Sequence, residues 1–265
     1  MLALAQVFTD IIAPPVCVLC HGDGQQLDEL WGMDLCEWCE AACVPLHACC
    51  PRCGVPVAPS PSNELSGSDA HSGECANCRS NPPPFDAAFC PFRYEDPLDL
   101  LITGLKFRHD LACARVLGML LARRYSESGR ALPDCVVPIP LHSSRLRERG
   151  FNQCAEIARH LAPRLQTAQG QQVAVRNNLL QRHRATRAQS ELSASERAAN
   201  LSGAFRAKPG ATLPRHIALL DDVLTTGNTA AAAAGALKEA GCERVEIWAC
   251  ARALRDGPGA SARFP

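Results

Sequence analysis

Ile217-Ala218-Leu219-Leu220-Asp221-Asp222-Val223-Leu224-Thr225-Thr226-Gly227-Asn228-Thr229-Ala230 carries the strongest local pattern in a chain of 265 residues. An apolar run ends in two adjacent carboxylates, then a turn rich in hydroxyls and glycine, then an alanine-rich stretch reaching Glu239. The run is short and apolar on both faces, which predicts a buried parallel strand. Thr226 to Thr229 supply turn and N-cap chemistry, and Gly227 is free to take a positive φ. A helix starting there presents unpaired N–H groups and a partial positive charge, which suits an anion. The hydroxyls of Thr225, Thr226 and Thr229 add donors. Asp221 and Asp222 fall at the carboxyl end of the strand, where open α/β sheets place their ligands. Being acceptors only, they suit sugar hydroxyls or a hydrated Mg²⁺ rather than a phosphate.

In its order of strand, Asp-Asp and Thr-Thr-Gly-x-Thr, the block resembles the signature by which type I phosphoribosyltransferases bind 5-phosphoribosyl-1-pyrophosphate (PRPP). The plainer reading is a strand, an acidic turn and a capped helix. A Gly-Thr turn alone would favour that reading; fourteen consecutive positions with every residue type in role favour the signature.

The formal net charge is zero, but it is unevenly spread. From Met1 to Phe85 ten acids face only Arg52 and Arg79, a balance of about −8. From His142 to Arg187 nine arginines face Glu148 and Glu156, a balance of about +7. Residues 1–15 lack a basic leader region and carry Asp10, and no run is long enough to span a bilayer. A reducing cytoplasmic location is therefore expected, where cysteine pairs bind metal more often than they form disulfides.

Sixteen cysteines include four Cys-x-x-Cys knuckles: Cys17/Cys20, Cys36/Cys39, Cys50/Cys53 and Cys75/Cys78. Two intervening residues let a tight turn aim both sulfurs at one ion. Fifteen residues separate the first two knuckles and twenty-one the second two, so consecutive pairs form two zinc ribbons. Closed four-thiolate sites leave no open coordination position, which makes both zincs structural. Free or disulfide-bonded cysteines are the alternative. Cys43, Cys49, His21, His47 and His71 are possible substitute ligands. Cys90, Cys113, Cys135, Cys154, Cys242 and Cys250 stand alone in apolar segments and read as small core residues.

Asn81-Pro82-Pro83-Pro84 stiffens the chain and marks a boundary, giving a cysteine module over 1–85 and a second domain over 86–265. In the second domain Ala87 to Tyr94 reads as a strand and Pro97 to about Gly104 as a short helix. Leu111 to about Ser126 carries a helical stripe of Leu111, Ala114, Leu117 and Leu121. Val136 to Pro140 is a short apolar run, Phe151 to Leu165 is helical, and Val173 to Leu180 and Arg244 to Ala251 are strand-like, with a loose tail after Ala251. Strands alternating with helices predict an α/β fold with a mostly parallel, doubly wound sheet.

Two further blocks carry charge. Val137 to Gln153 passes from a strand end through His142, Ser143 and Ser144 to Arg145, Arg147 and Arg149. Guanidinium groups there match phosphate oxygens bidentately and would clamp a pyrophosphate, the alternative being a solvated basic turn that caps the next helix. Arg182 to Leu201 is polar, includes Arg184 and Arg187, and lies between two expected strands. It suits a lid that brings arginine to a closing site, or an inert surface loop.

Taken together, the cysteine ribbons, Pro-Pro-Pro-Phe-Asp, Leu105-Lys106-Phe107, Pro-x-Pro-Leu-His, Arg-x-Arg-Gly-Phe-Asn-Gln, Gln-Ser-x-Leu-Ser and Asp-Asp-Val-Leu-Thr-Thr-Gly resemble the ComF family of competence-associated, phosphoribosyltransferase-like proteins. The resemblance implies that Thr225, Thr226, Gly227, Asn228 and Thr229 hold a 5-phosphate, and that Asp221 and Asp222 serve ribose and metal. It places His142 to Arg145 at the pyrophosphate loop and Arg184 to Ser190 in a flexible loop. Asn228 stands where such proteins often have Ala.

The leading expectation is a PRPP-binding, Mg²⁺-dependent phosphoribosyltransferase serving DNA uptake or processing. Mg²⁺, Arg145 and Lys106 would neutralise the leaving pyrophosphate, Arg184 and Arg187 would be catalytic residues of the lid, and water would be excluded. No Ser-His-Asp or Cys-His nucleophile is evident. A non-catalytic adaptor for single-stranded DNA or a competence-machinery protein is the second possibility, although aromatic residues for base stacking make up only 5% of the chain. A plain zinc-stabilised metabolic transferase is the third. The acceptor is not legible, because the region expected to cover it carries no recognisable motif.

Overall fold

The run His216–Leu224 is an extended strand with parallel neighbours on both sides, as its unbroken apolar character requires. A computed structural model of the protein describes residues 14–26, 32–57, 73–167, 170–184 and 203–254. In chain order, a small antiparallel pair, β1 (Gln25–Gln26) and β2 (Gly32–Met33), precedes two short helices, α1 (Glu37–Ala42) and α2 (Ala76–Ser80). The main sheet and its helices follow as β3 (Ala87–Phe89), β4 (Phe92–Arg93), α3 (Leu98–Phe107), α4 (Leu111–Glu127), β5 (Cys135–Pro138), α5 (Ser143–Arg149), α6 (Gln153–Leu161) and β6 (Ala174–Val175). An antiparallel pair, β7 (Leu180–Arg182) and β8 (Phe205–Ala207), leads into β9 (His216–Leu224), α7 (Asn228–Glu239) and β10 (Arg244–Arg252).

The sheet order is β3-β10-β9-β5-β6 with every pairing parallel, and β4 continues along β10. Side chains alternate across it. Ala218 and Leu220 of β9 face α3, α4 and α6 in one buried cluster, while Ile217 and Leu219 face α7 and the β7–β8 pair in another. Helices on both faces make the sheet doubly wound, as the alternation of strands and helices predicts. On α7 the facing residues are Ala230, Ala233, Ala234 and Leu237, small enough to let the helix lie close. Gly118 permits the same between α4 and α6, since a Cβ there would lie 2.7 Å from the Ile157 carbonyl oxygen.

Boundaries differ from expectation where local chemistry intervenes. The 87–94 segment is broken at Cys90-Pro91, because proline has no N–H for the ladder. The 173–180 segment divides into β6 and the start of β7, and α6 gives way at Ala162 to a single 3₁₀ turn containing Pro163. Ser143 to Arg149 is a helix rather than an open basic turn. Arg252 completes β10 rather than beginning a tail, and the rest of the expected tail, from 255 onward, lies outside the described residues. The expected lid from 185 onward lies outside the described residues, as does His71.

The cysteine-bearing segments pack against the sheet. Met33, Leu35 and Cys43 join the cluster under α4, and Arg115 of α4 meets Asp34 at 3.2 Å. Farther along, Ala88 N–H donates to the Pro51 carbonyl at 2.9 Å, and Arg52 donates to the Pro83 and Phe85 carbonyls at 3.3 Å. No helix among the described residues is long and apolar enough to cross a membrane.

Candidate functional site

At the carboxyl ends of β5 and β9 a cavity of about 220 Å³ is lined by residues that include Lys106, Cys154, Arg182, Asp221, Asp222 and Thr229. Strand β9 sets the carboxylates. Asp222 is 4% exposed, its Oδ1 accepts from Val223 N–H at 2.7 Å, and its Oδ2 stands 2.8 Å from Lys106 Nζ at the end of α3. Asp221, one residue earlier, accepts at Oδ1 from Asp222 N–H at 2.9 Å and from the Cys154 thiol at 3.7 Å.

Burial pushes the Asp221 carboxyl up to about 7, the adjacent Asp222 charge adds to the rise, and Lys106 opposes it. Burial pulls the Lys106 ammonium down, but Asp222, joined by Asp221, outweighs that and leaves it raised. Cys154, buried beside both carboxylates, is held far above its ordinary range and stays a thiol. Two carboxylates thus share the Lys106 ammonium, and the Arg182 guanidinium in the same cavity also acts on Asp221. Their oxygens and the Cys154 sulfur lie within 4.8 Å of one another, close enough to hold a cation, and the carboxylate oxygens suit a hard divalent ion.

Beyond β9 the backbone turns through Gly227 at φ +80, the left-handed region that glycine enters without strain. Gly227 is also the N-cap of α7 and offers no side chain; the Thr226 hydroxyl instead accepts from the Asn228 N–H at 3.4 Å. Thr225, Gly227 and Thr229 line the cavity beside this helix end, an arrangement suited to an anion.

Of the residues singled out in the sequence, Lys106, Asp221, Asp222, Thr225, Gly227 and Thr229 therefore meet around one cavity. Thr226 and Asn228 line a separate cleft of about 550 Å³ on another side of the same loop, opposite Val55 and Pro56. His142, Ser143, Ser144 and Arg145 begin one residue after Leu141, which lines the first cavity, yet are not among its described lining residues. The His142 ring caps α5 through Ser144 N–H at 3.2 Å, and Arg145 pairs with Glu148 at 3.2 Å on the surface. Arg184 is exposed at the edge of the described residues, and Arg187 lies outside them.

The eight knuckle cysteines gather as Cys17, Cys20, Cys36, Cys39 and as Cys50, Cys53, Cys75, Cys78, the sulfurs of each set within 4.8 Å of one another. Cys20 and Cys36 sulfurs are 3.6 Å apart and Cys53 and Cys75 sulfurs 3.7 Å. Tetrahedral Zn–S bonds of about 2.3 Å put sulfurs about 3.8 Å apart, so both sets fit zinc. In each set the second knuckle opens a helix, with Cys36 and Cys75 as N-caps. Burial raises Cys17, yet the backbone groups of Cys20, Cys36 and Leu19 bring it down to about 6, whereas Cys39, buried among the other sulfurs, is pushed far up. Four such thiols ionise together only around a cation. Neither set includes Cys43, Cys49, His21 or His47.

No protein-family model matches the chain. Individual proteins do. The chain is 37% identical over 234 residues to "DNA utilization protein YhgH" of Salmonella typhimurium, and 34% identical over 234 residues to the protein of the same name in Escherichia coli K12. Each alignment covers 84% of this chain and 92% of the relative. "Competence protein F" of Haemophilus influenzae is 32% identical over 189 residues, covering 69% of this chain and 80% of the relative. This chain belongs to the ComF family.

In this ComF-family protein the site includes residues that sequence reasoning passed over. Gln153 and Cys154 line the cavity from the first turn of α6. Asn152 fixes that turn to the strand end, donating to the Ile139 carbonyl at 3.0 Å while its own oxygen accepts from Cys154 N–H. The signal lies in the last two residues of Arg-x-Arg-Gly-Phe-Asn-Gln, next to the more conspicuous arginines. Arg182, expected with the other arginines to face the carboxyl ends of the strands, lines the cavity with its guanidinium 5.3 Å from the centre of the Phe205 ring.

Proposed function

We propose that this ComF-family protein binds PRPP with Mg²⁺ and transfers or senses its phosphoribosyl group in support of DNA use, the role named in its relatives. The observation that carries the reading is the single cavity shared by the start of α7 at Gly227 and the Asp221–Asp222–Lys106 group, with Arg182 beside it. Thr225 and Thr229 with the backbone of Gly227 take the 5-phosphate, and the carboxylates take ribose hydroxyls and the cation. Bound Mg²⁺ supplies charge neutralisation to the pyrophosphate. Lys106 and Arg182 add fixed positive charge in a site partly closed to water, where it acts most strongly on a leaving anion. Arg145 and Arg184 join them only if their segments move toward the cavity, and Arg187 lies outside the described residues. The thiol of Cys154 holds its proton near Asp221 and is not a nucleophile. Calorimetric titration with PRPP and Mg²⁺ tests the binding; pyrophosphate release in the presence of candidate acceptors tests the transfer.

A second reading is favoured by α5, which has no buried residue and carries Arg145 and Arg147 on exposed surface away from the cavity lining. Such charge serves a nucleic-acid backbone without sequence preference, and the protein then acts as an adaptor with PRPP as its signal. The location expected from the sequence is the cytoplasm, which localisation of a tagged full-length chain tests.

A further inference from the structure

Arg252 is the last residue of β10 and only 7% exposed. Its guanidinium meets four carbonyls from three parts of the chain. Nε donates to the Cys53 carbonyl at 3.2 Å, inside the second cysteine set. Nη1 donates to the Leu224 carbonyl at 2.7 Å, to the Thr225 carbonyl and to the Ala253 carbonyl at 2.9 Å. The contact with the knuckle is close because Gly54 turns there at φ +70; even a Cβ at Gly54 would stand only 3.7 Å from Arg252 Cδ.

The two loop carbonyls matter because a peptide unit is planar and trans, so its N–H points opposite to its C=O. Holding the Leu224 oxygen directs the Thr225 N–H, and holding the Thr225 oxygen directs the Thr226 N–H. Both amides enter the turn before Gly227. The Leu224 oxygen also accepts from the Ala253 N–H at 3.1 Å, so the buried guanidinium adds to that ladder bond, holds the Thr225 carbonyl beyond it, and ties both to a knuckle of the second cysteine set. The first cysteine set has different neighbours: Asp34 and Gly32 near it bond to Arg115 of α4.

We infer that Arg252 is a positioning residue for the 225–229 loop, and that zinc in the second cysteine set, but not in the first, governs the order of that loop through it. The functional consequence, weaker phosphate binding when the second zinc leaves, rests on the PRPP reading above. Lysine cannot reproduce the set, because its single nitrogen can replace Nη1 at the loop carbonyls but leaves no second donor for the Cys53 carbonyl, which severs the loop from the knuckle.

The test compares full-length wild type with Arg252→Lys, Cys75→Ser and Cys17→Ser. Zinc is counted, hydrogen exchange is followed by mass spectrometry, and PRPP with Mg²⁺ is titrated calorimetrically. Arg252→Lys is expected to keep both zincs yet exchange its 224–231 amides about tenfold faster, as the loss of a charged hydrogen bond implies, with 135–138 unchanged. PRPP affinity falls by a similar factor. Cys75→Ser loses one zinc and shows the same loop effect; Cys17→Ser loses one zinc and does not. Unchanged loop exchange in Arg252→Lys overturns the inference. So does loosening spread evenly across the sheet, or an equal loop effect from Cys17→Ser. Should Cys75→Ser fail to fold, Arg252→Lys decides alone. Failure of the wild type to bind PRPP defeats the functional reading, while the exchange data still judge the coupling.

Discussion

Lys106 on α3 and Asp222 on β9 form a 2.8 Å ion pair inside the 220 Å³ cavity, their side chains 21% and 6% exposed. Removing one partner leaves the other charge in a poorly solvated place. Asp222→Asn is accordingly expected to weaken PRPP binding on the order of tenfold or more, about 1.4 kcal/mol or greater. Calorimetry showing unchanged affinity in the variant, or in wild type with EDTA, contradicts the assignment.

Proton release should accompany that binding. Asp221 is raised to about 7 from an ordinary 3.8, so it carries a proton below neutrality that a cation must displace. Calorimetry in two buffers of different ionisation enthalpy is expected to show close to one proton released near pH 6 and almost none near pH 8. For stability the sign is the reverse of an ordinary carboxylate. The folded state holds the proton more tightly, so stability without ligand declines as pH rises from about 4 to about 7. Asp221→Asn should flatten that decline.

Glu246 behaves oppositely. Although burial raises it, His216 at 3.2 Å, Arg244 at 2.7 Å and the Trp248 ring N–H at 3.2 Å hold it down at about 2. Its stabilisation is present above an ordinary 4.5 and lost as pH falls toward 2. Glu246→Gln is expected to cost roughly 2 kcal/mol at neutral pH and much less near pH 3, by urea unfolding. A cost independent of pH would falsify the assignment.

Metal analysis of protein purified without chelator is expected to find about two zinc per chain. Cys36→Ser should lower that to about one and unfold its own ribbon, since thiolate loss removes folding energy locally, while PRPP binding stays close to wild type. A metal-free, disulfide-linked N-terminal segment would sink the zinc reading.

Single-stranded DNA is expected to bind weakly, without sequence preference and with steep salt dependence, and PRPP with Mg²⁺ should compete. Fluorescence titration of a labelled oligonucleotide at two salt concentrations, with and without PRPP, is the measurement. No binding even at low salt removes the adaptor reading; binding indifferent to PRPP moves the DNA surface away from the cavity.

Strand β9, the Gly227 turn and the two cysteine sets were legible because each is specified by neighbours in sequence: an apolar run, a residue tolerant of positive φ, knuckles of fixed spacing. Cys154 and Arg252 were not. Cys154 looked like an ordinary small core residue, and nothing nearby announces Asp221, 67 positions on. Arg252 seemed to begin a tail because the carbonyl that gives it meaning belongs to Cys53, 199 residues earlier. The basic 143–149 stretch misled in another way. Its charge pattern suggested an open clamp, but His142 and Gly150 are good stop signals at either end, and the segment closed into a helix.

The last strand, β10, lies inside the sheet with β3 on one side and β9 on the other. As the chain leaves the ribosome, β3 and the ribbon docked beside it must therefore wait for almost the whole sequence before their sheet partner is made. Until then β3 has an unpaired edge, and its ribbon lacks the arginine that joins it to the loop. The eight cysteines are all made well before β10, so a metal bound by them would be within reach before the strand docks. Long-range pairing of this kind folds slowly, and a chain halted before residue 244 would hold finished metal sites on an unfinished sheet.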